Sequence, residues 1–205
     1  MQPNLPANPL SIELSFRHER LWWQIDDDDG QPELWRVSAG LWGLDRSVED
    51  ARHVATIDLA VAGLTVEPDL FDTAVLGEWA PEFFADAVID PDRLQPDLEA
   101  RIDAGPPRIV VLRRVQLAER WRGHGLGSAL IASALRVMAS NARFAACQVS
   151  PDELGGVRTA RMLERIGFFR WRGVHVVGLR SAALLDVHRR LIDEWWPGHG
   201  LTHDA

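Results

Sequence analysis

The sequence predicts one α/β domain. Three observations predict it. At 205 residues and 46% apolar composition, the chain can bury a substantial core. Strand-like apolar runs share the chain with segments of helical period. A glycine-rich turn, Gly123 to Gly127, joins a strand pattern directly to a helix pattern.

In order, residues 11–17 (SIELSFR) put Ile12, Leu14 and Phe16 on one face, the alternation of a half-buried strand. Residues 21–25 (LWWQI) and 33–37 (ELWRV) read as further strands. Between them Asp29-Gly30, closing the run Asp26 to Asp29, marks a hairpin turn. Those consecutive carboxylates lack the ligand spacing of a calcium loop. Residues 53–64 (HVATIDLAVAGL) suit a long strand. Residues 69–77 and 81–89 read as short helices started by Asp69 and Ala80-Pro81, the second stopped by Pro91, and 96–102 adds a helical turn. Gly105-Pro106-Pro107 is strong punctuation. Residues 108–117 (RIVVLRRVQL) form a strand, and 127–140 a helix with Leu130, Ile131, Ala134, Leu135 and Met138 at core spacing. A short buried strand follows over 144–149, then an amphipathic helix over 157–166 closed by Gly167. Residues 168–179 read as a strand pair or one bent strand, and 184–196 as a final helix stopped by Pro197-Gly198.

Composition excludes several chemistries. The chain has no Tyr and no Lys, so all 22 basic residues are Arg. Without Lys there is no Walker phosphate loop and no Schiff base; without Tyr there is no phenolic acid. A single cysteine, Cys147, excludes an internal disulfide and a cysteine-built zinc site, and fits a reducing cytoplasm. Residues 1–10 carry three prolines and no basic residue, unlike a signal peptide. No apolar run approaches the ~20 residues of a membrane span. The expectation is a soluble cytoplasmic protein with no metal and no membrane partner.

The net charge of −8 is unevenly distributed. Up to Gly105 there are 7 Arg against 22 Asp and Glu; from Pro106 onward there are 15 Arg against 8 acids. The single domain, 1–205, therefore divides into an acidic half (1–105), a basic stretch (106–182), and a C-terminal helix and tail (183–205). No nucleic-acid-binding motif accompanies the arginines, and the acidic overall balance argues against such a partner.

Chemistry concentrates in Arg122-Gly123-His124-Gly125-Leu126-Gly127. Alternate glycines expose backbone N–H groups with no Cβ in the way. They open into a helix whose first amides lack internal partners and whose dipole end is positive. That combination suits an anion, most naturally a pyrophosphate. The spacing G-x-G-x-G, with no acid at positions 140–150, does not fit a dinucleotide fingerprint. A glycine-rich turn without a ligand is the other reading.

The segment resembles the acetyl-CoA-binding signature of the GNAT N-acetyltransferases, [Q/R]-x-x-G-x-[G/A], on Arg122, Gly125 and Gly127. The resemblance runs from Ile109 to Val177 through strand, loop, helix, strand and helix, ending at Ile166-Gly167-Phe168. It implies that Val115, Gln116 and Leu117 face the pantetheine arm of acetyl-CoA. Arg122, Gly123, His124, Gly125, Leu126, Gly127 and Ser128 would cradle its phosphates. The sheet would splay between Leu117 and Val149 to admit the thioester. It further implies a GNAT-like twisted, mostly antiparallel sheet of about six or seven strands with helices on both faces, and acetyl transfer to an amine by direct attack in a ternary complex. The acidic first half suggests a cationic acceptor such as a polyamine, an aminoglycoside or a protein amine.

Three positions depart from the family pattern. Leu163 stands where the family's usual Tyr protonates the leaving thiolate. Leu112-Arg113-Arg114 lacks the acid common before the loop, and Gly156 replaces a frequent Asn. A non-catalytic acyl-CoA-binding or sensing module is therefore the alternative.

Single residues complete the reading. Asp58 would either reach the acceptor through water or face solvent, and Cys147 is a nucleophile or a small core hydrophobe. His175 is read as structural. Arg158, Arg161 and Arg165 share a helix face that would meet the 3′-phosphate of CoA or lie in solvent. Trp22-Trp23 and Trp195-Trp196 belong to the core or to a homodimer interface.

Overall fold

The computed structural model of the chain describes residues 5–18, 31–43, 52–64, 72–90, 93–150, 154 and 156–195. In chain order come strands Ile12–His18 (β1), Glu33–Leu41 (β2) and His53–Gly63 (β3), then helices Thr73–Leu76 (α1) and Ala80–Ala87 (α2). The short strands Val88–Asp90 (β4) and Arg93–Leu94 (β5) and helix Pro96–Glu99 (α3) follow. Next are strand Arg108–Leu117 (β6), helix Leu126–Met138 (α4), strand Phe144–Cys147 (β7) and helix Gly156–Arg165 (α5). Strands Phe169–Trp171 (β8) and Val174–Gly178 (β9) and helix Ala182–Trp195 (α6) complete the set. One seven-stranded sheet runs β1-β2-β3-β6-β7-β9-β8, antiparallel at every pairing except β6 with β7. The α/β class and the mostly antiparallel sheet are as the sequence predicts.

Burial explains the strand patterns. In β6, Ile109 to Leu112 are all buried because both faces are covered there, hence the unbroken apolar run. From Arg114 the strand alternates. Val115 and Leu117 pack against the core of one face, while Arg114 and Gln116 are exposed on the other. We call these the front and back faces. The front core joins Ile57, Leu59, Val110 and Leu112 to Ile131 and Leu135 of α4 and Leu184 of α6. The back core sets Ala60, Ile109, Val111 and Phe144 against Phe83 and Phe84 of α2 and Leu98 of α3.

Several expectations shift. The strand and turn read over residues 21–30, with Trp22-Trp23, lie outside the described residues, as do Trp196 and the side chain of Trp195; β2 pairs with β1 instead. Helix α1 starts after Asp72, whose carboxylate accepts from the N–H groups of Ala74 and Val75 at 3.0 and 3.2 Å; Asp69 lies outside the described residues. Helix α2 stops at Ala87, and Val88 and Ile89 leave it for the β4–β5 pair, following their β-branched preference. Residues 168–179 resolve into a strand pair. Arg172 and Gly173 turn between β8 and β9 with φ of 43° and 89°, as a two-residue hairpin loop requires.

The acidic and basic halves are one structure. β3 and β6 pair from Ala55–Leu117 to Gly63–Arg108 across the boundary. Glu33 accepts from Arg108, Arg143 meets Glu99 at 3.1 Å, and Arg172 meets Asp86 at 2.9 Å. The Trp171 indole donates to Asp97 at 2.8 Å and holds that carboxyl below its usual range. Part of the charge asymmetry is thus internal complementarity. Among the described residues, no helix is long and apolar enough to cross a membrane, and no three or more His, Cys, Asp or Glu side chains gather as metal ligands would.

His175 sits on β9 opposite Cys147 of β7, and its Nδ1 is buried without a hydrogen-bond partner. Burial lowers its pKa, nearby Arg170 lowers it further, and Glu164 partly opposes both. The unfolded chain therefore binds this proton more readily. Stability should fall as pH drops below the ordinary value of 6.5. Urea denaturation between pH 7.5 and 5.5, for the wild type and for His175→Gln, should show a shallower pH slope in the variant.

Candidate functional site

The site grows from the place where β6 and β7 part. They pair only at Ile109–Phe144, Val110–Ala145 and Val111–Ala146, while β6 continues along β3 to Leu117. Beyond Val111, the edge of β6 that faced β7 has no ladder partner among the described residues. Its backbone N–H and C=O groups are available to a ligand.

A bulge bends the strand at the same place. Asp58 pairs with Arg114 but Leu59 pairs with Leu112, so Arg113 is the extra residue. Leu112 and Val115 both join the front core, which turns Arg113 and Arg114 together to the back. The Arg113 guanidinium reaches Gly77 and Trp79, on the turn between α1 and α2. A Cβ at Gly77 would stand 2.5 Å from Arg113 Nη1 and 2.6 Å from Trp79 Nε1.

After β6 the chain makes a short 3-10 turn, Glu119–Trp121, and Trp121 is completely buried. Arg122 Nε then donates to the Leu117 carbonyl at 2.9 Å, tying the loop back to the strand end. Gly123 and Gly125 have φ of 83° and 76°, and a Cβ at either would meet nothing within 4 Å. Backbone conformation selects these two glycines. Gly127 differs: a Cβ there would lie 3.4 Å from Leu117 Cδ1 and 3.4 Å from Met162 Sδ, so it sets the approach of α4 to β6 and α5.

Gly125 caps α4 with no side-chain hydrogen bond. The Ser128 hydroxyl donates to the Gly125 carbonyl at 2.7 Å and caps none of the amides. The first amides of a 13-residue helix therefore point outward without internal acceptors, at its positive end.

These parts enclose a cleft of about 700 Å³. Nine of the residues singled out from the sequence line it: Val115, Gln116 and Leu117 from the strand, Arg122, Gly123 and Gly125 from the loop, and Leu126, Gly127 and Ser128 from the helix. His124 does not line it. Arg165 of the proposed phosphate-facing set does; Arg161 is exposed outside the lining, and the side chain of Arg158 lies outside the described residues. Arg114, Trp121, Leu154, Thr159 and Met162 complete the wall. Arg114 could have been suspected from its place beside Val115; Leu154 carries no local signal. Among the described residues the cleft is lined by three arginines and by no acid, a lining that suits an elongated anion.

The two catalytic candidates lie elsewhere. Cys147 is fully buried in the front core, as a small hydrophobe would be, and is no part of the lining. Asp58 accepts from Arg36 Nε at 2.9 Å on the back face, one register pair from Arg114. Leu163 is completely buried in the front core. No protein-family model matches the sequence, and no curated protein matches it.

Proposed function

We propose that the chain is a GNAT-type N-acetyltransferase that moves an acetyl group from acetyl-CoA to an amine. The observation that carries this reading is the fork between β6 and β7. It opens into a cleft running to the uncapped amide end of α4. In this reading the amides of an extended pantetheine arm add to the free edge of β6, as a strand would. The pyrophosphate meets the N–H groups around Gly125, with Arg122 and Arg165 beside it.

A neutral amine attacks the thioester carbonyl carbon, and the carbonyl electron pair moves to oxygen. An N–H on the β6 edge stabilises that oxyanion. On collapse the C–S bond breaks, CoA leaves as thiolate, and the amine proton passes to water. No phenol protonates the sulfur, since the chain has no Tyr. The expected cost is the ~10²–10⁴-fold of general acid–base help, with positioning left to supply the rate. Restoring the family residue should not recover it. Leu163→Tyr is expected to destabilise by about 1–3 kcal/mol through overpacking and to bring no rate gain, measured by urea denaturation and by acetyl-CoA turnover.

The test is calorimetric titration with acetyl-CoA, followed by thiol release across a broad amine panel. Binding with turnover supports the transferase. Binding without turnover, which the buried Leu163 would favour, supports the non-catalytic acyl-CoA-binding or sensing module. Absence of binding refutes both.

A further inference from the structure

We infer that the acceptor is a small amine that also carries a carboxylate. This rests on the transferase reading above and names its acceptor class. The chain-wide charge asymmetry suggests a cationic acceptor, but the local charge at the reacting end of the cleft differs.

The fork begins immediately beyond Val111, so the thioester would lie near the bulge, and the acceptor must reach it there. The bulge presents Arg114 on the back face, exposed. Arg114 also lines the cleft. Among the described residues its side chain makes no hydrogen bond or ion pair. One register pair across is Asp58, and next across is Arg36, whose side chain is 65% exposed and whose Nε bonds Asp58 Oδ1 at 2.9 Å. Three adjacent strands thus place the order cation, anion, cation in one row.

Neighbouring strands are roughly 5 Å apart, so a molecule the size of an amino acid spans from Arg114 to the free edge of β6. A carboxylate fits the guanidinium of Arg114 by two parallel hydrogen bonds. The amine of the same molecule, neutral when it attacks, then lies on the fork side of Arg114, toward the thioester, while Asp58 stays paired with Arg36. A second row, Ser15, Ser38, Thr56 and Gln116 in successive register, continues the back face with neutral polar groups. Nothing in this second row repels an anion. A polyamine offers Arg114 no counter-charge and brings cation against cation. Transfer on this acceptor follows the balance given above: the C–N bond forms, the C–S bond breaks, CoA leaves as thiolate and one proton goes to water.

The experiment compares kcat/KM of the full chain, at saturating acetyl-CoA, for amino acids, their carboxamides and spermidine. The carboxamide has the lower amine pKa and hence the larger neutral fraction, so a preference for the acid cannot come from amine ionisation. The expected result is about tenfold or more in favour of the acid, as for a charge-assisted hydrogen bond. That preference should reside in KM. Arg114→Gln should narrow the ratio by raising KM for the acid, and Arg114→Glu should reverse it; Arg36→Gln should narrow it less. Equal values for acid and carboxamide, a preference for spermidine, or a ratio unmoved by Arg114→Gln would each overturn the inference while leaving the transferase intact. Bound acetyl-CoA with no turnover on any amine would instead remove the transferase reading, and this one with it.

Discussion

The Gly125→Val variant is expected to remain folded and to bind acetyl-CoA about a hundredfold more weakly, the equivalent of losing two or three kcal/mol of charge-assisted hydrogen bonding. Two effects act at this position. Its φ of 76° is costly for a branched residue, by about 1–2 kcal/mol. The added side chain would also stand in the open space through which an anion would approach the α4 amides in the proposed reading. A control separates the two. Gly173 has φ of 89°, and a Cβ there would likewise meet nothing within 4 Å, but it lies in the β8–β9 turn and outside the cleft lining. Gly173→Val should lose similar stability and keep its affinity. Calorimetric titration with acetyl-CoA, alongside thermal melts of both variants, makes the comparison. Equal affinity losses would show that strain alone accounts for the effect.

The larger structural effect is expected at Gly167, which ends α5 with φ of 97°. A Cβ there would stand 2.5 Å from Ala183 Cβ, in the first turn of α6. That atom sits next to backbone and cannot swing away, so the clash adds to the left-handed penalty. Gly167→Val should cost about 3 kcal/mol or more and lower Tm by roughly 6–12 °C, at ~2–4 °C per kcal/mol for a chain of this size. Because α5 carries Thr159, Met162 and Arg165 into the cleft wall, affinity and stability should fall together. A melting temperature within a degree of wild type would mean that α6 can shift without cost.

How far the sequence reveals this molecule depends on whether the signal is local. β6 is legible to the residue, because burial on both faces writes an unbroken IVVL run and burial on one face writes the alternation after it. The loop is legible because glycine is required where φ is positive, and nine of its residues and neighbours do converge on one cleft. The β4–β5 pair is not, since Val88 and Ile89 satisfy a helical period as well as a strand. Nor is the pairing of Asp58 with Arg36, or of Cys147 with His175 across β7 and β9; strand register depends on which segments meet, and composition is silent about that. The surplus of acids in the first half is visible at once, but its use is not. Only the fold reveals that Glu33, Asp86 and Glu99 meet arginines from the second half.

The extra residue in β6 can also be considered as a matter of counting. Arg113 lies between two stretches whose inward and outward positions are each in phase with β3, so it works like a spacer inserted into an otherwise regular ladder. Removing that one residue would leave every other side chain on its present face, since Leu112, Arg114 and Val115 would simply resume alternation. The strand would lose the bend that a bulge gives it, at the point where it leaves β7. One added residue in a single strand thus coincides with the opening in this sheet.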